Sequence, residues 1–186
     1  MNIFFISDSH FAHSNILTFL NQDGSNLRTF ESVEHMDEHM VHCWNKTVSP
    51  NDKVYHLGDV CMSKKHLPIL ARLNGEKVLV KGNHDKEKLN EYTKYFKDVR
   101  GSHQFDGLIM THIPIHPASL ARWGLNVHGH THSNSVMRDH TTNPSKPQIR
   151  DPRYFCVSVE QINYTPISLE QVKQEAKKRL ELYNSL

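Results

Sequence analysis

The chain has 186 residues and a formal net charge of +2, with 22 Lys and Arg against 20 Asp and Glu. This length suits one domain with a substantial buried core, and the 37% hydrophobic and 23% charged fractions are ordinary for a globular protein. A nearly neutral chain without a long basic run argues against nucleic acid or an anionic membrane as an obligatory partner.

The cysteines and the N-terminus indicate a cellular compartment. Cys43, Cys61 and Cys156 are few, odd in number and widely spaced, which favours free thiols in a reducing environment over a disulfide framework. Residues 1–6 lack the basic start of a signal peptide, and no apolar run approaches the roughly 20 residues that span a bilayer. We therefore expect a cytoplasmic protein that neither spans nor binds a membrane.

The first half of the chain alternates short apolar runs with helical patterns. The predicted strands are residues 2–6, 53–57 and 77–80, and the predicted helices are residues 11–20, 33–45, 63–73 and 86–96. Ser32 is a suitable N-cap for the second helix, and Pro68 argues for an irregular start of the third. Alternation of this kind predicts βαβ units in an open parallel sheet.

Each of these three strands is followed by polar side chains. Asp8 and His10 follow the first strand, Asp59 follows the second, and Asn83-His84-Asp85 follows the third. A turn would explain Asn83 or Asp85, whose side chains bond nearby backbone, but it does not require the histidine between them. In parallel sheets the ligand site lies beyond the carboxyl ends of the strands, so we expect these groups to meet there.

The second half has a different pattern. Residues 99–105, 108–111, 125–127, 154–159 and 162–165 are predicted strands, the last two forming a terminal pair. His112 follows the second of these strands, and His130 and His132 follow the third. The polar segment 133–152 exceeds the usual loop length and is expected to border the site. Ser168 and Gln171 form a capping box that begins the final helix.

Seven side chains at these strand ends are candidate metal ligands. They are Asp8, His10, Asp59, Asn83, His112, His130 and His132. Carboxylate, amide and imidazole together suit divalent transition ions, and the absence of cysteine disfavours a structural zinc site. Seven groups are too many for one tetrahedral ion but suit two ions that share a carboxylate, the arrangement used for in-line displacement at phosphorus.

The order of these motifs resembles that of a known superfamily. The motifs are Asp8-Ser9-His10, Gly58-Asp59-Val60-Cys61, Gly82-Asn83-His84-Asp85, His112 and Gly129-His130-Thr131-His132. This series resembles the calcineurin-like metallophosphoesterases, whose signature is D-x-H, G-D-x-x, G-N-H-D/E, a lone H and G-H-x-H in that order. In finer pattern the chain is similar to the small single-domain bacterial and phage members. The resemblance implies an α/β fold, a four-layer α/β/β/α sandwich in which two mixed sheets are flanked by helices, as one domain over residues 1–186.

The resemblance also implies roles for individual residues. One ion would be bound by Asp8, His10 and His132, the other by Asn83, His112 and His130, and Asp59 would bridge them. Mn²⁺ is the favoured metal, with Fe, Zn or Ni as alternatives, and a hydroxide between the two ions would attack phosphorus. His84 matches the histidine that is not a ligand but protonates the leaving oxygen, and Asp85 would fix its tautomer.

Two further residues are candidates for contact with the substrate phosphate. The finer resemblance points to His13 and Arg28. A guanidinium group suits bidentate contact with phosphate oxygens, although a solvated loop cation is the alternative for Arg28.

The function indicated is that of a dinuclear metal-dependent phosphoesterase that hydrolyses a small phosphomonoester or phosphodiester, with a nucleotide among the candidate substrates. A nuclease-like phosphodiesterase is one alternative, but it would need a DNA-binding surface that the sequence does not show. A non-catalytic binding module on the same scaffold is another, and the complete ligand set with His84 disfavours it. The sequence leaves the physiological substrate, the native metal pair and the oligomeric state open.

Overall fold

A computed structural model describes residues 1–139 and 147–184. The strands are β1 Ile3–Ile6, β2 Lys53–His56, β3 Glu76–Val80, β4 Asp98–Arg100, β5 His103–Phe105, β6 Leu108–Met110, β7 Leu125–His128, β8 Met137–Arg138, β9 Ile149–Arg150, β10 Tyr154–Cys156 and β11 Ile167–Ser168. The α-helices are α1 Val33–Thr47, α2 Leu89–Tyr92 and α3 Leu169–Asn184, and 3-10 helices occur at Ser14–Thr18, Leu67–Arg72 and Pro117–Arg122.

Two mixed sheets form the centre of the domain. The first has the order β11-β1-β2-β3-β4, in which β1 to β4 are parallel and β11 is antiparallel to β1. The second has the order β10-β7-β6-β5, with only β5 antiparallel to its neighbour. Strands β8 and β9 form a separate antiparallel pair.

Alternation along β1 divides the core into two layers, because successive strand residues point to opposite faces of a sheet. Phe4 packs in the cluster that contains Trp44 of α1, whereas Phe5 packs in the cluster between the sheets with Met110 and Val127. The described residues therefore form an α/β fold of two mixed sheets flanked by helices in a single domain, as predicted. The outer face of the second sheet is covered by the 3-10 helix Pro117–Arg122 rather than by an α-helix.

Two helix starts follow the sequence prediction. The Ser32 hydroxyl accepts a 3.1 Å hydrogen bond from the His35 N–H at the start of α1. At the start of α3, the Gln171 N–H donates to the Ser168 hydroxyl at 3.2 Å and the Gln171 side chain accepts from the Ser168 N–H at 3.0 Å. Both termini are thus capped by the side chains that the sequence indicates.

Three predicted helices were wrong in length. Residues 11–20, 63–73 and 86–96 contain only the 3-10 helices Ser14–Thr18 and Leu67–Arg72 and the short α2. His10 and Ala12 have φ angles of 48° and 60°, so the chain turns sharply before a regular helix can begin. Pro68 lies in the first turn of the second segment, where it restricts the preceding residue.

The predicted strands of the second half also needed correction. Residues 99–105 form not one strand but β4 in the first sheet and β5 in the second, so the chain crosses between the sheets there. The strand expected at 162–165 is wrong, since Asn163 and Tyr164 have φ angles of 49° and 57°; the pairing partner of β1 is β11. The segment 133–152 includes β8 and β9, and its residues 140–146 lie outside the described part. Within that part, no helix has the length and apolarity needed to cross a membrane.

Candidate metal centre

The strand ends of both sheets converge on one group of polar side chains. The first sheet contributes Asp8 after β1, Asp59 after β2 and Asn83 after β3, and the second contributes His112 after β6 and His130 after β7. Two groups of three have ligand atoms that all lie within 4.8 Å of one another: Asp8, His10 and His132, and Asp8, Asp59 and His112. The predicted ligands are thus brought together from segments that are more than 100 residues apart.

The backbone at these residues adopts a conformation that is uncommon for side chains with a Cβ. Asp8, His10, Asp59, His130 and His132 have φ angles of 58°, 48°, 56°, 69° and 50°. Such left-handed conformations cost free energy and cluster at functional sites, where the surrounding structure holds them. Here the Asp8 N–H donates to the Gly58 carbonyl at 2.9 Å, and the His10 N–H donates to the Asp59 carbonyl at 3.0 Å. The loops after β1 and β2 therefore hold each other in place.

Two motif glycines allow the loops to approach the carboxylates. A Cβ on Gly82 would lie 2.2 Å from Asp59 Oδ1, and a Cβ on Gly129 would lie 2.5 Å from Asp8 Oδ2. Neither distance is possible for a non-bonded contact, so both positions require glycine for steric reasons.

The first ligand group, Asp8, His10 and His132, contains buried polar atoms without a hydrogen-bond partner among the described residues. The Nε2 atoms of His10 and His132 lie 3.9 and 4.0 Å from Asp8 Oδ1. Among the described residues, Asp8 Oδ1 and both ring nitrogens of His10 have no hydrogen-bond partner, whereas Asp8 Oδ2 accepts from Ser158 Oγ at 2.7 Å and from the His130 N–H at 2.9 Å. Buried polar atoms without partners are costly. A divalent cation at this position would satisfy Asp8 Oδ1 and the Nε2 atom of His10.

The second ligand group is centred on His112. Its Nδ1 lies 2.7 Å from the Leu57 carbonyl, so Nδ1 carries the proton and donates. Its Nε2 lies 3.3 Å from Asp59 Oδ2 and 2.9 Å from Asn83 Oδ1 and presents a lone pair only in the neutral ring. Burial lowers the pKa of His112, but the hydrogen bond to Asp59 and the charges of Asp8 and Asp59 outweigh burial and raise it. Since Asp59 Oδ2 also lies 3.7 Å from His10 Nε2, the Asp59 carboxylate stands between the two groups.

Burial and neighbouring charges shift the pKa values of the candidate ligands in different directions, and only the deprotonated forms bind metal. Burial and the Arg28 charge lower the pKa of His10 to about 2, so its imidazole is neutral. Burial raises the pKa of Asp59, but the hydrogen bond and charge of His112 outweigh this effect and lower it to about 2. Burial raises the pKa of Asp8, and a neighbouring cation would favour the ionised form of that carboxylate.

Two exposed histidines border the cluster. The ring centroid of His130 lies 5.1 Å from that of His112. The His84 N–H donates to Asp59 Oδ1 at 2.8 Å, and its ring centroid lies 5.6 Å from that of His10. His84 therefore stands at the solvent side of the ligand groups, next to both Asp59 and His10.

The expected role of Asp85 needs correction. Its Oδ2 accepts from the N–H groups of Asp59 and Gly82, each at 2.8 Å, and its Oδ1 accepts from the Val60 N–H at 3.0 Å. The carboxylate is buried while His84 is exposed. Asp85 therefore clamps the loops after β2 and β3 through their backbone rather than orienting the His84 ring.

The interpretation of Arg28 as a substrate contact is also wrong. The side chain is buried, with a relative exposure of 1%. Its Nη1 donates to the Ser9 carbonyl at 2.9 Å, its Nη2 donates to the Asp8 carbonyl at 2.5 Å, and its Nε donates to Glu160 Oε1 at 2.7 Å. The alternative of a solvated loop cation is excluded by the same burial.

His13 lies beside the site, as expected for a residue near the substrate. Its ring centroid is 5.5 Å from that of His10 and 5.7 Å from that of Phe19. Among the described residues, its Nδ1 atom has no hydrogen-bond partner. Contact with a phosphate stays a prediction.

Glu160 was not identified from the sequence. Its Oε1 lies 3.0 Å from Nδ1 of His132 and accepts from Arg28. One signal could have revealed it: Glu160 directly follows the predicted strand 154–159, as Asp59 follows the strand 53–57 at a short distance.

Comparison with known proteins places the chain among relatives of unknown function. The uncharacterized protein MJ1445 of Methanocaldococcus jannaschii is 36% identical over 176 residues, which cover 91% of this chain and 88% of that protein. The chain belongs to the family of this archaeal protein. The present chain also matches a crystal structure of AQ665, a protein of unknown function from Aquifex aeolicus. The match covers 93% of the present chain and 98% of AQ665, with a TM-score of 0.68 and 26% identity.

A weaker structural match was also found. A point mutant of Vps29 from Entamoeba histolytica matches 75% of this chain and 68% of its own, with a TM-score of 0.38 and 15% identity, which is too low to indicate a shared function. No protein-family model matches the sequence.

Proposed function

We propose that this protein is a dinuclear metal-dependent phosphoesterase. The observation that carries the proposal is the set of buried, unbonded ligand atoms on Asp8 and His10, which face Asp59 and His132 at one edge of the sheets. An exposed imidazole, that of His84, stands directly beside them. The resemblance of the five sequence motifs to the calcineurin-like metallophosphoesterases supports the same conclusion.

The chain offers two positions for divalent ions. Asp8, His10 and His132 would hold one ion, and Asn83, His112 and His130 would hold the other. Asp59 would be shared, since its Oδ2 lies 3.7 Å from His10 Nε2 and 3.3 Å from His112 Nε2. When bound, a pair of ions would neutralise phosphoryl oxygens and make a nearby water more acidic. Mn²⁺ is the preferred metal, with Fe, Zn or Ni as alternatives.

His84 is the proposed proton donor. Its backbone is fixed by the 2.8 Å bond from its N–H to Asp59 Oδ1, while its ring stays exposed and free to reach the substrate. A protonated imidazole at this place can stabilise negative charge on the phosphoryl group and give its proton to the departing ester oxygen.

Two clefts next to the ligands would receive the organic part of the substrate. One, of about 660 Å³, is lined by His130 and His132 together with the apolar Phe19 and Leu20 and the amide of Asn21. A wall that combines an aromatic ring with amides suits a small organic group such as a nucleoside. His13 stands between Phe19 and His10, where it can contact the phosphate.

The second cleft, of about 400 Å³, is lined by Lys81, Asn83 and His112. The first cleft adjoins both proposed ion positions through His132 and His130, and the second adjoins the position of Asn83 and His112. A diester could therefore extend its two substituents in both directions, whereas a monoester would fill only one cleft. We therefore keep both ester classes as candidate substrates, without an obligatory nucleic-acid or membrane partner. The three cysteines are free thiols, consistent with the proposed cytoplasmic location.

The test is turnover of p-nitrophenyl phosphate and of its bis-ester with added Mn²⁺, in the wild type, Asp59→Asn and His84→Ala. We expect metal-dependent hydrolysis in the wild type and a severe loss in both variants. The ratio of the two ester activities distinguishes monoesterase from diesterase. Absence of metal-dependent turnover on a broad panel of phosphate esters would overturn the proposal, and a protein that binds both ions without turnover would favour a binding module.

A further inference from the structure

A single buried guanidinium connects two of the ligand-bearing segments. Arg28 donates to the Asp8 and Ser9 carbonyls in the loop that follows β1. The same side chain donates from Nε to Glu160 Oε1 at 2.7 Å, and its Nη2 also lies 2.7 Å from that oxygen. Residues 28 and 160 are 132 positions apart in the sequence, so this contact joins the start of the domain to its end.

Glu160 extends the connection to a metal ligand. Its Oε1 lies 3.0 Å from His132 Nδ1. Because a carboxylate oxygen only accepts, Nδ1 must carry the proton, which leaves the lone pair on Nε2 at 4.0 Å from Asp8 Oδ1. A carboxylate behind a ligating imidazole fixes the ring and its tautomer and increases its basicity.

The charges explain why both partners are needed. The Glu160 side chain is only 5% exposed and that of Arg28 is fully buried, and a lone charge at such a depth would be strongly unfavourable. Together they are neutral, and the guanidinium retains enough N–H groups to bind the Asp8 and Ser9 carbonyls as well.

We propose that Glu160 and Arg28 are positioning residues that assemble Asp8, His10 and His132 into the binding position for one of two divalent ions. This inference rests on the metal centre of the proposed function. The other position has separate support, because His112 is oriented by the Leu57 carbonyl and the loop that carries Asn83 is clamped by Asp85. Loss of the pair should therefore affect one ion and spare the other.

A purely structural ion pair would behave differently. It would lower the stability of the fold, but the folded protein would still bind both ions with unchanged affinity. Separate measurement of stability and of metal affinity distinguishes these two roles.

The experiment is calorimetric titration of the chelator-treated full-length protein with Mn²⁺, repeated with Co²⁺ while its visible absorption is recorded. Glu160→Gln keeps the size of the side chain but removes the charge. We expect about ten- to hundred-fold weaker binding of one ion and wild-type binding of the other. Arg28→Lys keeps the positive charge beside Glu160 but not the fork of N–H groups, and we expect the same selective loss.

The matched control is Asp151→Asn, which removes another buried carboxylate that is bonded to an arginine, Arg153. We expect this control to bind both ions as the wild type does. If the wild type binds two ions and folded Glu160→Gln binds both with unchanged affinities, this inference alone is overturned. If Glu160→Gln does not fold, unchanged affinities in Arg28→Lys would overturn it in the same way. A wild type that binds no divalent ion would overturn the proposed function as well.

Discussion

The Oδ2 atom of Asp59 lies 3.3 Å from Nε2 of His112, so a carboxylate of the first sheet meets an imidazole of the second. The same oxygen lies 3.7 Å from His10 Nε2. Asp59 is therefore a side chain through which both proposed ion positions would be coupled, and its substitution should disturb both.

We expect Asp59→Asn to weaken the binding of both ions. Turnover should fall by more than the roughly 10–100-fold that is typical when a residue that only orients a ligand is replaced. Elemental analysis of the purified variant and Mn²⁺ titration measure this directly. Asp98→Asn, which removes a carboxylate bonded to Arg100, is the control and should keep both ions. Full metal content in Asp59→Asn would show that Asp59 does not bridge.

Adjacent residues after β3 should have separable effects. Both side chains are exposed. Asn83 Oδ1 lies 2.9 Å from His112 Nε2, among the candidate ligands, whereas the His84 ring centroid lies 5.6 Å from that of His10. We expect His84→Ala to keep both ions while its turnover falls by about 10²–10⁴-fold. For Asn83→Ala we expect weaker metal binding as the primary effect. Metal content and kcat are measured on the same preparations. If His84→Ala emptied the site instead, His84 would be a ligand and not a proton donor.

The convergence of the candidate ligands could be predicted from the sequence because they follow buried strands, and the sheets bring strand ends to one edge. Arg28 could not, because its burial depends on Glu160, which is distant in sequence. The role of Asp85 was predicted wrongly for a similar reason. Its adjacency to His84 suggested a contact between the two side chains, but the Asp85 carboxylate accepts hydrogen bonds from the N–H groups of Asp59 and Val60. Local pattern identifies what lies at a strand end, whereas the partner of a buried charge is set by tertiary packing.

Asp37 on α1 should give the protein a measurable pH dependence. Its carboxylate accepts from the Ala12 N–H at 3.0 Å, and burial raises its pKa to about 6. The folded state therefore holds this proton more tightly than the unfolded chain, whose value is 3.8. The associated stability is fully present below pH 3.8 and is lost as the pH rises through about 6.

Urea unfolding at pH 4.5 and pH 7.5 tests this effect. We expect the wild type to lose more unfolding free energy between these pH values than Asp37→Asn, which cannot titrate at this position. The comparison between the two proteins cancels the contribution of the other carboxylates. Parallel pH profiles in the two proteins would contradict the raised pKa of Asp37.

Gly82 should be far less tolerant of a methyl group than Gly101, although both lie in short loops that follow strands of the first sheet. A Cβ on Gly82 would lie 2.2 Å from Asp59 Oδ1 and 2.5 Å from the Asp59 nitrogen, whereas a Cβ on Gly101 would meet nothing within 4 Å. Overpacking of a closely fitted site typically costs about 1–3 kcal/mol. Here the strain would also displace the carboxylate proposed to join the two ions.

We therefore expect Gly82→Ala to lower the unfolding free energy by about that amount and to weaken Mn²⁺ binding, while Gly101→Ala stays close to the wild type in both. Denaturant unfolding and metal titration of the two variants provide the measurement. Should Gly82→Ala lose stability but keep its metal affinity, the loop after β3 would yield to the methyl group without moving Asp59, and the close fit between Gly82 and Asp59 would serve the fold rather than the metal centre.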